Sequence, residues 1–151
     1  MNKSVKTPCI GVCSTGLGDD VCRGCKRFQH EVLQWNSYSD SEKISVLNRL
    51  EMLKTQIMES KVFIFDEALL KNQLETLKII FNPETNSYCW VFDLFRFASQ
   101  SIADPSEFGF EIITKETNNI LILKKIIEEE LFELSEAHYQ RYFNLEDNFN
   151  A

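Results

Sequence analysis

The sequence predicts an α+β protein, and three observations lead there. Residues 1–25 are rich in Cys, Gly, Ser and Thr and show neither helical nor strand periodicity, which reads as a loop in need of a tether. Residues 26–60 carry two stretches of helical apolar spacing, a helical hairpin. Residues 61–151 mix short β-like runs with helical ones and end in a long helix. The 151 residues suit a small module joined to a modest second domain, with the boundary expected between 60 and 61. Twelve phenylalanines are enough apolar material for a packed core.

The first helix follows Cys25, with Phe28, Val32 and Trp35 recurring on one face until Asn36 and Ser37 interrupt it. The second opens at Ser39-Asp40-Ser41-Glu42. In this capping box the Ser39 hydroxyl accepts from the Glu42 amide while the Glu42 carboxylate reaches back. Ile44, Leu47, Leu50, Leu53 and Ile57 form its expected apolar stripe.

Beyond residue 60, VFIF at 62–65 reads as a short strand and DEALLKNQLETLKII as a helix from about Asp66. NPETNS at 82–87 is a turn, since Pro83 presets φ. YCWVFDLFRF fits a buried strand or a helix, because Tyr88, Val91, Phe92 and Phe95 also match helical spacing. Asp104-Pro105 marks a break, and FGFEIIT and ILILK, on either side of KETNN, are expected to pair as a hairpin. From Leu123 to about Phe143 the spacing of Ile126, Ile127, Leu131, Leu134 and His138 is helical, with Glu128, Glu129 and Glu130 on its solvated face.

The N-terminal MNKSVKTPC has no apolar segment after its lysines, and the longest apolar run, ILILKKII, is broken by Lys124 and Lys125. That falls well short of the roughly 20 residues that span a bilayer, so a cytoplasmic protein without a membrane segment is expected. The net charge of −7 is uneven: residues 1–60 hold eight basic and seven acidic residues, and residues 61–151 hold eight basic and sixteen acidic. Repulsion of phosphate therefore argues against nucleic acid only for the C-terminal part.

Four of the five cysteines fall in CIGVCSTGLGDDVCRGC, with the spacing C-x3-C-x8-C-x2-C. Two close pairs joined by a loop can bring four soft donors around one ion, so Cys9, Cys13, Cys22 and Cys25 are expected to hold a metal centre, either zinc or an iron–sulfur cluster. In a reducing compartment that reading outranks two disulfides. Gly11 and Gly24 sit inside the pairs, where tight turns aim amides at sulfur. Arg23, Lys26 and Arg27 lie beside two of the ligands and offset the negative charge of four thiolates. The spacing matches neither common ferredoxin pattern and is tighter than most zinc ribbons, so the metal stays open. A closed four-donor site leaves His30 as a surface or outer residue, and Cys89 in SYCWVF reads as an ordinary buried thiol.

The run TPCIGVCSTGLGDDVCRGCKRFQHEVLQWNSYSDSEK resembles a small bacterial family, domain of unknown function 1289, described as predicted iron–sulfur proteins. The likeness covers roughly residues 7–55 and includes Pro8, the four cysteines, Arg23, Gly24, Lys26, Arg27, His30, Trp35 and Asn36. The resemblance implies a four-cysteine module with no established reaction.

Catalytic spacings such as G-x-S-x-G, H-E-x-x-H, a P-loop or G-x-G-x-x-G do not occur, so no catalytic residue and no small-molecule substrate are expected. The function expected is a metal-binding accessory protein that presents Arg23, Lys26, Arg27 and Trp35 to a protein or nucleic-acid partner. The competing expectation is an iron–sulfur protein that transfers electrons or senses oxidant.

Overall fold

The computed structural model describes residues 5–149, with side chains through Phe143. Its architecture is α+β: helices α1 (Gln29–Gln34), α2 (Asp40–Lys61), α3 (Glu67–Thr76), α4 (Ser87–Ala98) and α5 (Ile120–Phe149), with strands β1 (Val62–Ile64) and β2 (Phe110–Ile112). Two compact units divide the chain, residues 1–53 with 131–151 and residues 54–130. The divisions fall inside α2 and inside α5, whereas composition and charge placed one boundary at residue 60.

In the first unit the capping box forms as its sequence requires. The Glu42 amide donates to Ser39 Oγ at 3.2 Å and the Ser39 amide donates to Glu42 Oε1 at 3.1 Å. The expected stripe of α2 holds at Leu50, Leu53 and Ile57, which are buried, and at Leu47, which packs on the core, but not at Ile44. Val46 is buried and Ile44 is 47% exposed, because Trp35 packs against Val46 and Leu50. Val5, Tyr38 and Leu47 complete that cluster. The α5 part of the unit adds aromatic surface, with the Tyr139 ring meeting the Phe28 ring edge-on at 5.2 Å.

In the second unit β1 and β2 run antiparallel, Val62 opposite Ile112 and Ile64 opposite Phe110. The expected hairpin is therefore corrected. FGFEIIT supplies a strand, but its partner is VFI at 62–64, and ILILK opens α5 instead. The cause is Asn119, whose side chain accepts the amides of Leu121 and Ile122 at 3.0 and 3.1 Å and so caps a helix where a turn was expected. The ambiguous YCWVFDLFRF is helical, capped by Asn86, and buries Cys89, Trp90, Val91, Phe92, Leu94 and Phe95. Helix α3 starts after Asp66, which caps it through the Leu69 amide at 3.0 Å. It stops at Thr76, where the chain turns through Lys78 at φ +56°.

The glutamates of α5 are not simply solvated. Glu128 forks onto Arg96 at 2.7 and 3.0 Å, and Glu130 accepts from buried Lys61 at 2.9 Å, as does Glu116 at 2.7 Å. Burial presses the Lys61 ammonium toward losing its proton, and the two carboxylates outweigh that and raise its pKa. Among the described residues no helix is long and apolar enough to cross a membrane.

Gly109 holds the strand to the start of α3. Its carbonyl accepts the amides of Phe65 and Asp66 at 2.9 and 3.0 Å, its φ is +77°, and an added Cβ would lie 2.3 Å from the Asp66 carbonyl oxygen. Gly109→Ala is expected to destabilise the protein by more than about 1 kcal/mol in denaturant titration. Gly16→Ala, with nothing within 4 Å of the added atom, serves as the near-neutral control.

Candidate metal centre

Residues 22–27 form a tight hairpin that presents the second cysteine pair. The Cys22 amide donates to the Arg27 carbonyl at 2.9 Å and the Lys26 amide to the Cys22 carbonyl at 2.8 Å, while Val21 and Phe28 make an antiparallel bridge. Lys26 closes the turn with φ +66°, an uncommon conformation for a residue with a side chain. Its ammonium folds back onto the Arg23 and Gly24 carbonyls, which stabilises the turn.

Cys22 and Cys25 are both buried, 1% and 3% exposed. Burial pushes the Cys22 thiol up, but hydrogen bonds from the backbone of Cys25, Ser14 and Gly24 and from the Cys25 thiol outweigh it and bring the pKa to about 7. Cys25 moves the other way. Burial raises its pKa, and the Arg27 Nε–H bond to Cys25 Sγ at 3.2 Å only partly opposes that.

The first cysteine pair lies on the segment that abuts this hairpin. The Cys22 thiol donates to the Val12 carbonyl at 3.4 Å, and the Arg23 amide donates to Ser14 Oγ at 2.7 Å. Gly24 permits this approach, since a Cβ there would stand 2.5 Å from the Val12 oxygen. Gly11, at φ +89°, turns its amide onto Cys9 Sγ at 3.4 Å, and Cys13 Sγ lies 3.2 Å from Thr15 Oγ1. Cys9 and Cys13 are exposed. The structure therefore joins Cys22 to Cys25 and sets the backbone between Cys9 and Cys13 against them. Among the described residues no group of three or more His, Cys, Asp or Glu side chains closes into a metal shell. The donor chemistry, four free thiols with backbone amides aimed at three of them, suits a soft cation.

The basic residues lie differently from the expected partner surface. Of Arg23, Lys26, Arg27 and Trp35, only Arg23 is exposed. It pairs with Asp19 at 3.5 Å and lies 4.2 Å above the Phe132 ring. Lys26 is consumed by the turn, and Arg27 bridges Cys25 and the Trp35 ring, 4.9 Å from its centroid. Trp35 belongs to the core. His30 is half-buried among rings, its centroid 5.9 Å from Phe28 and 5.8 Å from Phe143. Cys89, in the other unit, is buried with Thr55 Oγ1 at 3.6 Å from its sulfur.

Sequence reasoning missed Glu31 and Arg49. Glu31, 6% exposed at its side chain, accepts the Phe28 amide at 2.8 Å and both terminal nitrogens of Arg49 at 2.6 and 2.7 Å. Arg49 also lies 4.0 Å over the Phe28 ring. The one available signal was the position of Glu31 three residues beyond the helix start, where a carboxylate can reach back to the chain. Nothing local pointed to Arg49. Tyr139 was missed too; its hydroxyl bonds Asp20, and its pKa is raised by burial and by that carboxylate.

Residues 7–54 match the model of a family described as "Protein of unknown function (DUF1289)". Over 43 residues the chain is 44% identical to the uncharacterized protein YdhL of Escherichia coli K12, a match covering 28% of this chain and 53% of that protein. The YdhL proteins of Shigella flexneri and of Escherichia coli O6:H1 match with the same identity and coverage. The chain spans about half the length of the curated relatives it matches. No solved structure matches. The likeness to this family of unknown function is confined to the segment that carries the four cysteines, α1 and the first part of α2.

Proposed function

We propose that the N-terminal segment is a non-catalytic metal-binding module in which Cys9, Cys13, Cys22 and Cys25 hold one zinc ion or one iron–sulfur cluster. The observation that carries this reading is the buried Cys22–Cys25 pair, whose lowered Cys22 pKa favours the thiolate that a metal requires. Val12, between the other two cysteines, rests against that pair, which supports counting Cys9 and Cys13 among the donors. Bound metal supplies a closed cross-link with no coordination position left over. Arg27 and the hairpin amides then offset the charge of the thiolates. That internal role suits their burial better than contact with nucleic acid does, and it leaves Arg23 as the basic residue of the four available to a partner. A protein partner fits the acidic balance of the rest of the chain.

Metal and sulfide analysis of anaerobically purified full-length protein is expected to give one centre per chain, retained by wild type and lost in Cys22→Ser. A colourless protein with one zinc assigns a structural role. Visible colour with acid-labile sulfide, bleached reversibly by reductant, assigns the iron–sulfur redox alternative. Metal-free wild-type protein sinks both. Structural sites supply on the order of 10 kcal/mol to small modules. Proteolysis of Cys22→Ser should accordingly cut residues 1–35 early, while fragments from 54–130 persist.

The thiols also make a pH prediction for metal-free protein. Folding lowers the Cys22 pKa from 9.0 to about 7, so the stabilisation this gives is complete above pH 9 and is lost as the pH falls through about 7. Thiolate absorbance should rise in a step near pH 7 that Cys22→Ser abolishes. A wild-type titration with no step below that of a free thiol would show the amide cradle to be ineffective.

A further inference from the structure

A cavity of about 340 Å³ lies in the unit formed by residues 1–53 and 131–151, and none of the four metal-site cysteines lines it. Its walls carry rings from three segments: Phe28 and His30 around the start of α1, Tyr38 before α2, and His138 and Tyr142 in α5. His30 and Tyr142 are nearly parallel, 17° apart, with centroids separated by 6.1 Å. Glu42 and Ser45, both exposed, also line it.

With the His30 and His138 imidazoles neutral, the two carboxylates and one guanidinium of this wall leave one negative charge uncancelled. Arg49 and Glu31 neutralise each other in a two-pronged pair at 2.6 and 2.7 Å. Among the described residues Glu42 makes no ion pair; its Oε1 accepts the Ser39 amide and hydroxyl at 3.1 and 3.0 Å. The field registers at Tyr38, whose pKa is raised by burial and then by Glu31 and Glu42, against a smaller opposing effect of Arg49. The same wall already stabilises one cation, since the Arg49 guanidinium lies 4.0 Å over Phe28. Ring faces and an uncancelled carboxylate together are what an organic cation needs, whereas a phosphate or carboxylate ligand would be repelled by Glu42.

We propose that this cavity binds an alkylammonium group, seated against the rings of Tyr38, His30 and Tyr142 with Glu42 as counter-ion. The group can belong to a free amine or to a lysine side chain of a partner, and both share the recognition chemistry. The proposal is independent of the metal site, because its ligand and lining residues are different.

The test uses the purified full-length protein and follows the ring resonances of Tyr38, His30 and Tyr142 by nuclear magnetic resonance. Choline chloride and Nα-acetyl-lysine amide are titrated separately at constant ionic strength. Saturable shifts with either probe support the proposal, and the tighter of the two identifies the source. Glu42→Gln should weaken binding by about tenfold. Glutamine still serves the capping box, so this variant is expected to keep its fold. Tyr38→Leu, with unchanged circular dichroism, should weaken binding similarly. Equal binding of uncharged 3,3-dimethylbutanol, an unaffected Glu42→Gln, or no saturation with either cation would overturn the proposal.

Discussion

The N-terminal unit depends on one buried ion pair. Glu31 takes three donors, the Phe28 amide and the fork of Arg49, and Arg49 lies flat on the Phe28 ring. These contacts fasten the end of the cysteine hairpin, the first turn of α1 and the middle of α2 to one another. Each charge alone would be costly in so dry a place, and only the planar guanidinium matches both carboxylate oxygens at once. Arg49 Nε is buried without a hydrogen-bond partner among the described residues, a cost that the remaining contacts of the guanidinium offset. Without this clamp the cysteine hairpin would have a sequence suited to its turn but no fixed support.

On that support the basic residues of the cysteine segment take internal roles. A lysine in a left-handed turn would ordinarily give way to glycine, yet Lys26 satisfies two carbonyls that its own conformation exposes. Arg27 lies between a sulfur and an indole ring, where charge and flat surface are both used. Such residues are engaged within the loop, with its carbonyls, a sulfur and a ring. The exposed Arg23 combines a weak surface pair to Asp19 with stacking on Phe132.

The second unit solves a different problem. Its two-stranded sheet has only three opposed residue pairs, too few to stand alone, and its stability comes from the apolar surface of Val62, Phe110, Val91, Leu94 and Phe95, all within 1% of complete burial. Charged groups are admitted where elements end or cross. Lys61 closes α2, where the helix dipole favours a cation, and two carboxylates meet it there. Lys54 and Asp93 show the cost of burial more plainly: desolvation lowers the lysine pKa and raises that of the aspartate, each toward its neutral form.

What the chain determined by itself is what neighbours in sequence can settle. The capping box at Ser39, the helix start near Asp66, the short strand at Val62–Ile64 and the close spacing of Cys22 and Cys25 all act over a few residues, and each could be read before any coordinates. Tertiary structure decided the rest. It chose the partner of FGFEIIT, turned YCWVFDLFRF into a helix, put Val46 rather than Ile44 at the head of the α2 stripe, and buried Lys26 and Arg27. Short apolar runs carry no period that separates strand from helix, and a basic side chain has no intrinsic preference between solvent and an internal sulfur or ring. Only contacts between residues distant in sequence, such as Glu31 with Arg49 and Trp35 with Val46, supply the energy that settles those alternatives.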